Sequence, residues 1–145
     1  MSAPKTNLAA ILGHTQACDV RNLVLDSREV SVDDAFVLLK PERVEAVAHL
    51  AQAINNGAKA VICDTAASSL KSRVPNDVAV FEVSDLSTRL GQLANAFYGE
   101  PSKKLHVTGM TGTNGKTTTM WLHAQVTHGL YLGTVGVGVP PNTTQ

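Results

Sequence analysis

Leu105-His106-Val107-Thr108-Gly109-Met110-Thr111-Gly112-Thr113-Asn114-Gly115-Lys116-Thr117-Thr118-Thr119-Met120 decides how this chain is read. A short apolar strand runs into a glycine-bearing loop, which closes with Gly115-Lys116-Thr117-Thr118 at the start of a predicted helix. That is the layout of a phosphate-binding loop. Gly109, Gly112 and Gly115 are expected to turn the backbone with positive φ and to bring it close to a ligand. The helix start aims unpaired N–H groups and the positive end of its dipole at the loop, which favours an anion such as a polyphosphate. Lys116 is placed to reach β- and γ-phosphates, and the Thr117 hydroxyl to take a Mg²⁺ position. The general spacing G-x-x-x-x-G-K-[ST] asks for glycine where Met110 stands, so only the Gly-Lys-Thr half obeys it. The competing reading is a β-to-α turn whose lysine is simply solvated.

Downstream, Thr117 to Thr127 continues as a helix with Met120, Trp121, Leu122, Ala124 and Val126 around most of its circumference, a pattern that expects cover on more than one side. His123 and His128 are five apart rather than four, which argues against a metal pair. Leu130 to Val135 reads as a strand, expected to lie parallel to Leu105–Val107 after a right-handed crossover. No Asp, Glu, Lys or Arg follows Lys116.

Upstream, the runs Asn22–Leu25, Ala35–Leu39, Lys59–Cys63 and Val78–Val83 are apolar without strict alternation, as in strands buried on two faces. Between the second and third, Val44, Val47, Ala48, Ala51 and Ile54 form one helical stripe, stopped at Asn55-Asn56-Gly57, where Gly57 can take a left-handed cap. Ser84 is a candidate N-cap for a second helix to Tyr98, with Leu86, Leu90, Leu93, Ala94 and Phe97 on its apolar face. Strands alternating with helices predict an α/β layer structure with a sheet that is at least partly parallel. Pro101-Ser102 marks the linker, giving one domain over 1–101 and the start of a second over 102–145.

Twelve basic and twelve acidic residues leave no net charge. That balance gives no footprint for nucleic acid or an anionic membrane surface. The run Leu8–Leu12 is too short for a signal peptide core or a membrane span, which predicts a cytoplasmic protein. Cys18 and Cys63 form no C-x-x-C pair and are expected to be free, buried thiols.

Phe97-Tyr98-Gly99-Glu100-Pro101-Ser102, Leu105 and the string Thr111 to Thr119 resemble the entry to the central domain of the Mur ligases, a family that carries its loop glycine in this offset position. Within the family the similarity is greatest to members that add a diamino acid, meso-diaminopimelate or lysine, to UDP-N-acetylmuramoyl-L-alanyl-D-glutamate. The resemblance implies ATP bound by Gly112, Thr113, Asn114, Gly115, Lys116, Thr117 and Thr118, with Mg²⁺ on Thr117. Leu25-Asp26-Ser27-Arg28, Asp34–Val37 and Gln52–Ala58 are similar to the family's N-terminal domain, which holds the uridine-diphosphate end of the substrate. It implies roles for Leu25 and Ser27 there, against the alternative of a serine stabilising its own turn. Asn142, Thr143 and Thr144 are similar to a segment placed against the substrate, the alternative being a frayed polar end.

The family has a glycine-containing loop after its second strand. Here Pro41-Glu42-Arg43-Val44-Glu45-Ala46 stands instead, and its proline and two glutamates oppose pyrophosphate binding. The family reaction activates the D-glutamyl carboxylate with ATP as an acyl phosphate, which the diamino acid's amine attacks. The family takes the acids, cationic groups and modified lysine for that step from later in its central domain. The expectation for this chain alone is therefore weak or no ligase activity, leaving open whether it is an enzyme by itself. Two strands and one helix also leave a sheet edge inviting self-association. The remaining alternatives are a ligase adding the terminal dipeptide, a folylpolyglutamate-type enzyme, or a non-catalytic nucleotide-binding or interaction module.

Overall fold

A computed structural model describes residues 5–15, 17–39 and 45–144, with the backbone alone at 66–69. Most of the loop read as Pro41–Ala46 thus lies outside the described residues, as does Val44. The chain divides into two compact units, 1–104 and 105–145.

The first unit opens with strand β1 (Thr6–Asn7), helix α1 (Leu8–Leu12) and strand β2 (Asp19–Val20), which pairs antiparallel with β1. The Asn7 side chain accepts from the Ala10 N–H and so caps α1. None of these three short elements stood out from periodicity, because each is below the length at which a period can be counted. Strands β3 (Leu23–Val24), β4 (Ala35–Leu38), β5 (Ala60–Cys63) and β6 (Ala79–Glu82) then form one parallel sheet in that order. Every residue of β4 and β5 is buried, the property that made them read as unalternating apolar runs.

Helix α2 (Ala46–Asn55) links β4 to β5, and α3 (Leu86–Phe97) follows β6. Ala35, Val37, Ala60 and Ile62 pack with Leu8 of α1 and with Leu86, Leu93 and Phe97 of α3. Phe36, Leu38 and Cys63 pack with Ala46 and Ala53 of α2. The sheet is therefore covered on both faces, and the α/β class expected from the alternation is the class observed. Cys18 and Cys63 are free and buried, and burial pushes both thiols above their ordinary range.

Two details of this unit differ from expectation. The buried stripe of α2 is Ala46, Leu50 and Ala53, not the valine-led stripe, and Val47, Ala48 and Ala51 face solvent. Small alanines let the helix backbone approach the sheet closely, with Leu50 as the one large anchor, so packing outweighs the greater apolarity of Val47. The residue flanking α3 is Asp85 in a left-handed conformation rather than Ser84, and it makes no side-chain cap. The cap comes from across the sheet, where Asp64 Oδ2, at the end of β5, accepts from the Leu86 N–H at 3.1 Å.

The second unit contains α4 (Lys116–Thr127) and three strands, β7 (Tyr131–Gly133), β8 (Gly136–Val139) and β9 (Asn142–Thr144). β7 pairs antiparallel with β8, and β8 with β9. The expected parallel pair is not formed. Leu105–Val107 belongs to no strand, and Val107 is 74% exposed. Short turns bring β8 beside β7, so local antiparallel pairing satisfies the ladder without a crossover. Nor does α4 gain cover on several sides, for only Ala124 of its residues is buried and Leu122 and Val126 are open. Trp121 does meet Tyr131 edge to face at 5.5 Å, tying the helix to β7.

Candidate functional site

The loop of the second unit turns at Gly112 (φ 151°) and Gly115 (φ 76°), both in the half of backbone space that side chains disfavour. Gly109 takes no such angle, and a Cβ there would meet nothing within 4 Å, so the expectation of three positive-φ glycines is corrected to two. Gly115 is the N-cap of α4 and no side chain caps the helix. The first-turn amides are therefore left for a ligand or water. Lys116 folds back over the loop, its Nζ donating to the carbonyls of Gly112 and Thr113. This is the unit's one Lys, Arg, Asp or Glu, so no acidic side chain of the same unit competes with an anion for it. Thr113, Asn114 and Thr118 are exposed beside it.

Thr117 Oγ1 lies 3.3 Å from Thr134 Oγ1, just beyond β7. The next residue, Val135, offers its carbonyl to Thr143 Oγ1 at 3.1 Å. Thr144 Oγ1 donates to the Val137 carbonyl at 3.4 Å, and Asn142 is exposed. The Thr134-Val135 turn thus connects the start of α4 to β9, and it was not singled out from sequence because a lone threonine at a strand end carries no motif. Asn142–Thr144 is a paired strand, not a frayed tail.

The donor set fits a polyphosphate better than a bare cation. Two neutral hydroxyls and no carboxylate stand at Thr117. Among the described residues no group of three or more His, Cys, Asp or Glu could hold a metal. A Mg²⁺ on Thr117 would need its remaining oxygens from phosphate and water.

A second candidate lies in the first unit. A cavity of about 420 Å³ is lined by Leu25, Asp26, Ser27, Arg28, His49 and Gln52. Leu25 is 56% exposed and offers an apolar surface, whereas Ser27 is only 4% exposed. Ser27 Oγ donates to Gln52 Oε1 at 2.7 Å, and the Ser27 carbonyl accepts from Asn56 Nδ2 at 3.0 Å. Asp26 is gripped by Arg28 through Nε at 2.9 Å and Nη2 at 2.5 Å, and these bonds hold its carboxyl down at about 2. His49 and Gln52 were missed as lining residues. The available signal was the spacing 49, 52, 56, a polar stripe on one face of α2. A larger depression, about 580 Å³, includes His14, Cys18, Lys59, Lys71 and Phe81, and none of the residues selected from sequence lines it.

Residues 19–98 match the sequence profile described as "Mur ligase family, catalytic domain". The chain is 37% identical over 139 residues to the UDP-N-acetylmuramoyl-L-alanyl-D-glutamate--2,6-diaminopimelate ligase of Pseudomonas syringae pv. tomato, covering 91% of the chain and 28% of that protein. It is 36% identical over 143 residues to the ligase of the same name from Xylella fastidiosa, covering 95% of the chain and 28% of the relative. The chain thus spans about a quarter of the length of the curated relatives it matches. Among solved structures, one of a ligase of that name superposes with a TM-score of 0.67 at 22% identity, over 97% of this chain and 30% of the other, a likeness of fold. MurF from Acinetobacter baumannii superposes with a TM-score of 0.62 at 26% identity, over 88% and 29%.

Proposed function

The chain belongs to the Mur ligase family, and from that premise we propose that it carries the UDP-substrate-holding domain and the nucleotide loop of an ATP-dependent ligase. The reaction in view is addition of a diamino acid to UDP-N-acetylmuramoyl-L-alanyl-D-glutamate in peptidoglycan synthesis. In this reading residues 1–101 hold the uridine-diphosphate end, with Leu25 as apolar surface and Ser27 as polar contact. Residues 102–145 open the ATP-binding domain. Gly112 to Thr118 cradle the polyphosphate, Thr117 contributes to Mg²⁺, and Asn142, Thr143 and Thr144 lie toward the substrate.

The observation that carries the reading is the loop itself: two left-handed glycines, an uncapped helix start and a lysine over the loop in a unit without acids. No helix among the described residues is long and apolar enough to cross a membrane. The two free buried thiols suit a reducing cytoplasm. Leu105, Val107, Leu130 and Leu132 are open to solvent and suit self-association of the second unit.

The 145 residues by themselves are proposed to turn over slowly or not at all. Stabilising a transferring phosphoryl group takes a cation held by an acid, together with further positive charge, and neither follows Lys116. ATP should bind the wild-type chain and bind Lys116→Ala about 10- to 100-fold more weakly, the worth of a charged hydrogen bond. Absence of binding to either protein would overturn the nucleotide reading in favour of a non-catalytic module. Robust ADP release with the muramoyl dipeptide, diamino acid and Mg²⁺ would overturn the claim of incompetence.

A further inference from the structure

The polar face of α2 has no part in the core, yet it is built against the Leu25–Arg28 turn. His49, Gln52 and Asn56 follow one another at i, i+3 and i+7, roughly a quarter-turn from the buried stripe Ala46, Leu50 and Ala53. Gln52 takes the Ser27 hydroxyl at 2.7 Å, and Asn56 takes the Ser27 carbonyl at 3.0 Å. Ser27 is thereby pinned at two atoms to one helix, although 25 residues separate it from Gln52.

A serine hydroxyl has one proton and two lone pairs. Here the proton is spent on Gln52 Oε1, an atom that can only accept. What Ser27 can offer to the cavity it lines is a lone pair. We infer that Gln52 is a positioning residue that fixes Ser27 as an obligate acceptor, so that this site selects a ligand group presenting an N–H or O–H donor, such as a uracil imide or a ribose hydroxyl. The inference rests on the uridine-nucleotide reading of this cavity and adds to it the residue that sets its polarity.

Gln52 is itself exposed, so replacing it leaves the core intact. Calorimetric titration of UDP into the full chain and into Gln52→Leu, Gln52→Glu, Ser27→Ala and the Ser27→Ala/Gln52→Leu pair tests the claim. Gln52→Leu frees the serine proton and should weaken binding about tenfold, the worth of one well-placed hydrogen bond. Gln52→Glu keeps an acceptor but adds a charge that repels a diphosphate, so it is compared with wild type for uridine, which carries no phosphate, and should stay within about twofold there; the double variant should be no weaker toward UDP than Ser27→Ala alone. An unchanged Gln52→Leu, two losses that add, or a Gln52→Glu as damaged as Gln52→Leu toward uridine would each overturn the inference, the last because the amide nitrogen would then face Ser27. If wild type takes up no UDP, the functional reading fails and ligand-free NMR decides the inference separately. A slowly exchanging Ser27 hydroxyl proton in wild type and Gln52→Glu, lost in Gln52→Leu, sustains it; its absence from wild type overturns it.

Discussion

Gly57→Ala should be far more damaging than Gly13→Ala, although both glycines end a helix in left-handed conformation. Gly13 follows α1 with φ 75°, and a Cβ built there meets nothing within 4 Å. Its replacement costs only the backbone preference, about 1–2 kcal/mol. Gly57 follows α2 with φ 96°, and a Cβ there would lie 2.9 Å from Val32 Cγ2 and 3.1 Å from Val32 Cα. The methyl can swing away because Val32 is exposed. The Cα cannot, since the next residue is tied back by the Asp33 N–H bond to the Gly57 carbonyl at 3.2 Å. Adding an overpacking cost of about 1–3 kcal/mol to the backbone term gives a loss of about 2–5 kcal/mol, a large share of a domain's stability of about 5–15 kcal/mol. Urea unfolding of the full chain followed by circular dichroism measures both variants. Adding Val32→Ala should return part of the loss, because it removes the methyl contact and leaves the backbone one. Equal destabilisation by Gly57→Ala and Gly13→Ala would refute the steric argument.

Asp64→Ala should destabilise the first unit by about 1 kcal/mol, because it removes the side-chain acceptor of the Leu86 N–H at the start of α3, while Asp64→Asn should recover most of it. Thermal melts of the two variants check this, and identical losses would place the effect elsewhere. The Asp26 carboxyl should titrate with a midpoint of about 2, below its ordinary 3.8, because Arg28 bonds to the charged form. Since the folded value is the lower one, the pair's contribution is full above about 3.8 and is lost as pH falls through about 2. Carbon-detected NMR titration reads the midpoint, and Arg28→Ala should move it up toward the ordinary value.

How much of this could be read without coordinates depends on how far each signal reaches along the chain. β4 and β5 were legible because a strand buried on both faces must be apolar at every position, and no partner need be known to see it. The loop from Gly112 to Lys116 was legible for a similar reason, since left-handed glycines at a helix start are a local requirement. The phase of α2 was not, because two stripes of comparable apolarity competed and only the distance to the sheet favours alanine. The cap of α3 was hidden too, because its acceptor, Asp64, stands 22 residues away.

By itself, then, the sequence determined the α/β alternation, the glycine-bearing loop at the start of α4 and the serine at the first unit's turn, all features whose causes lie within a few neighbouring residues. Tertiary structure alone decided that Leu105–Val107 stays out of a sheet while β7, β8 and β9 pair with one another, because a strand exists only where a partner ladder is in reach. It also decided what Ser27 can do. The direction of a hydroxyl proton belongs to the group that receives it, and that group, Gln52, is brought alongside only when α2 packs on the sheet.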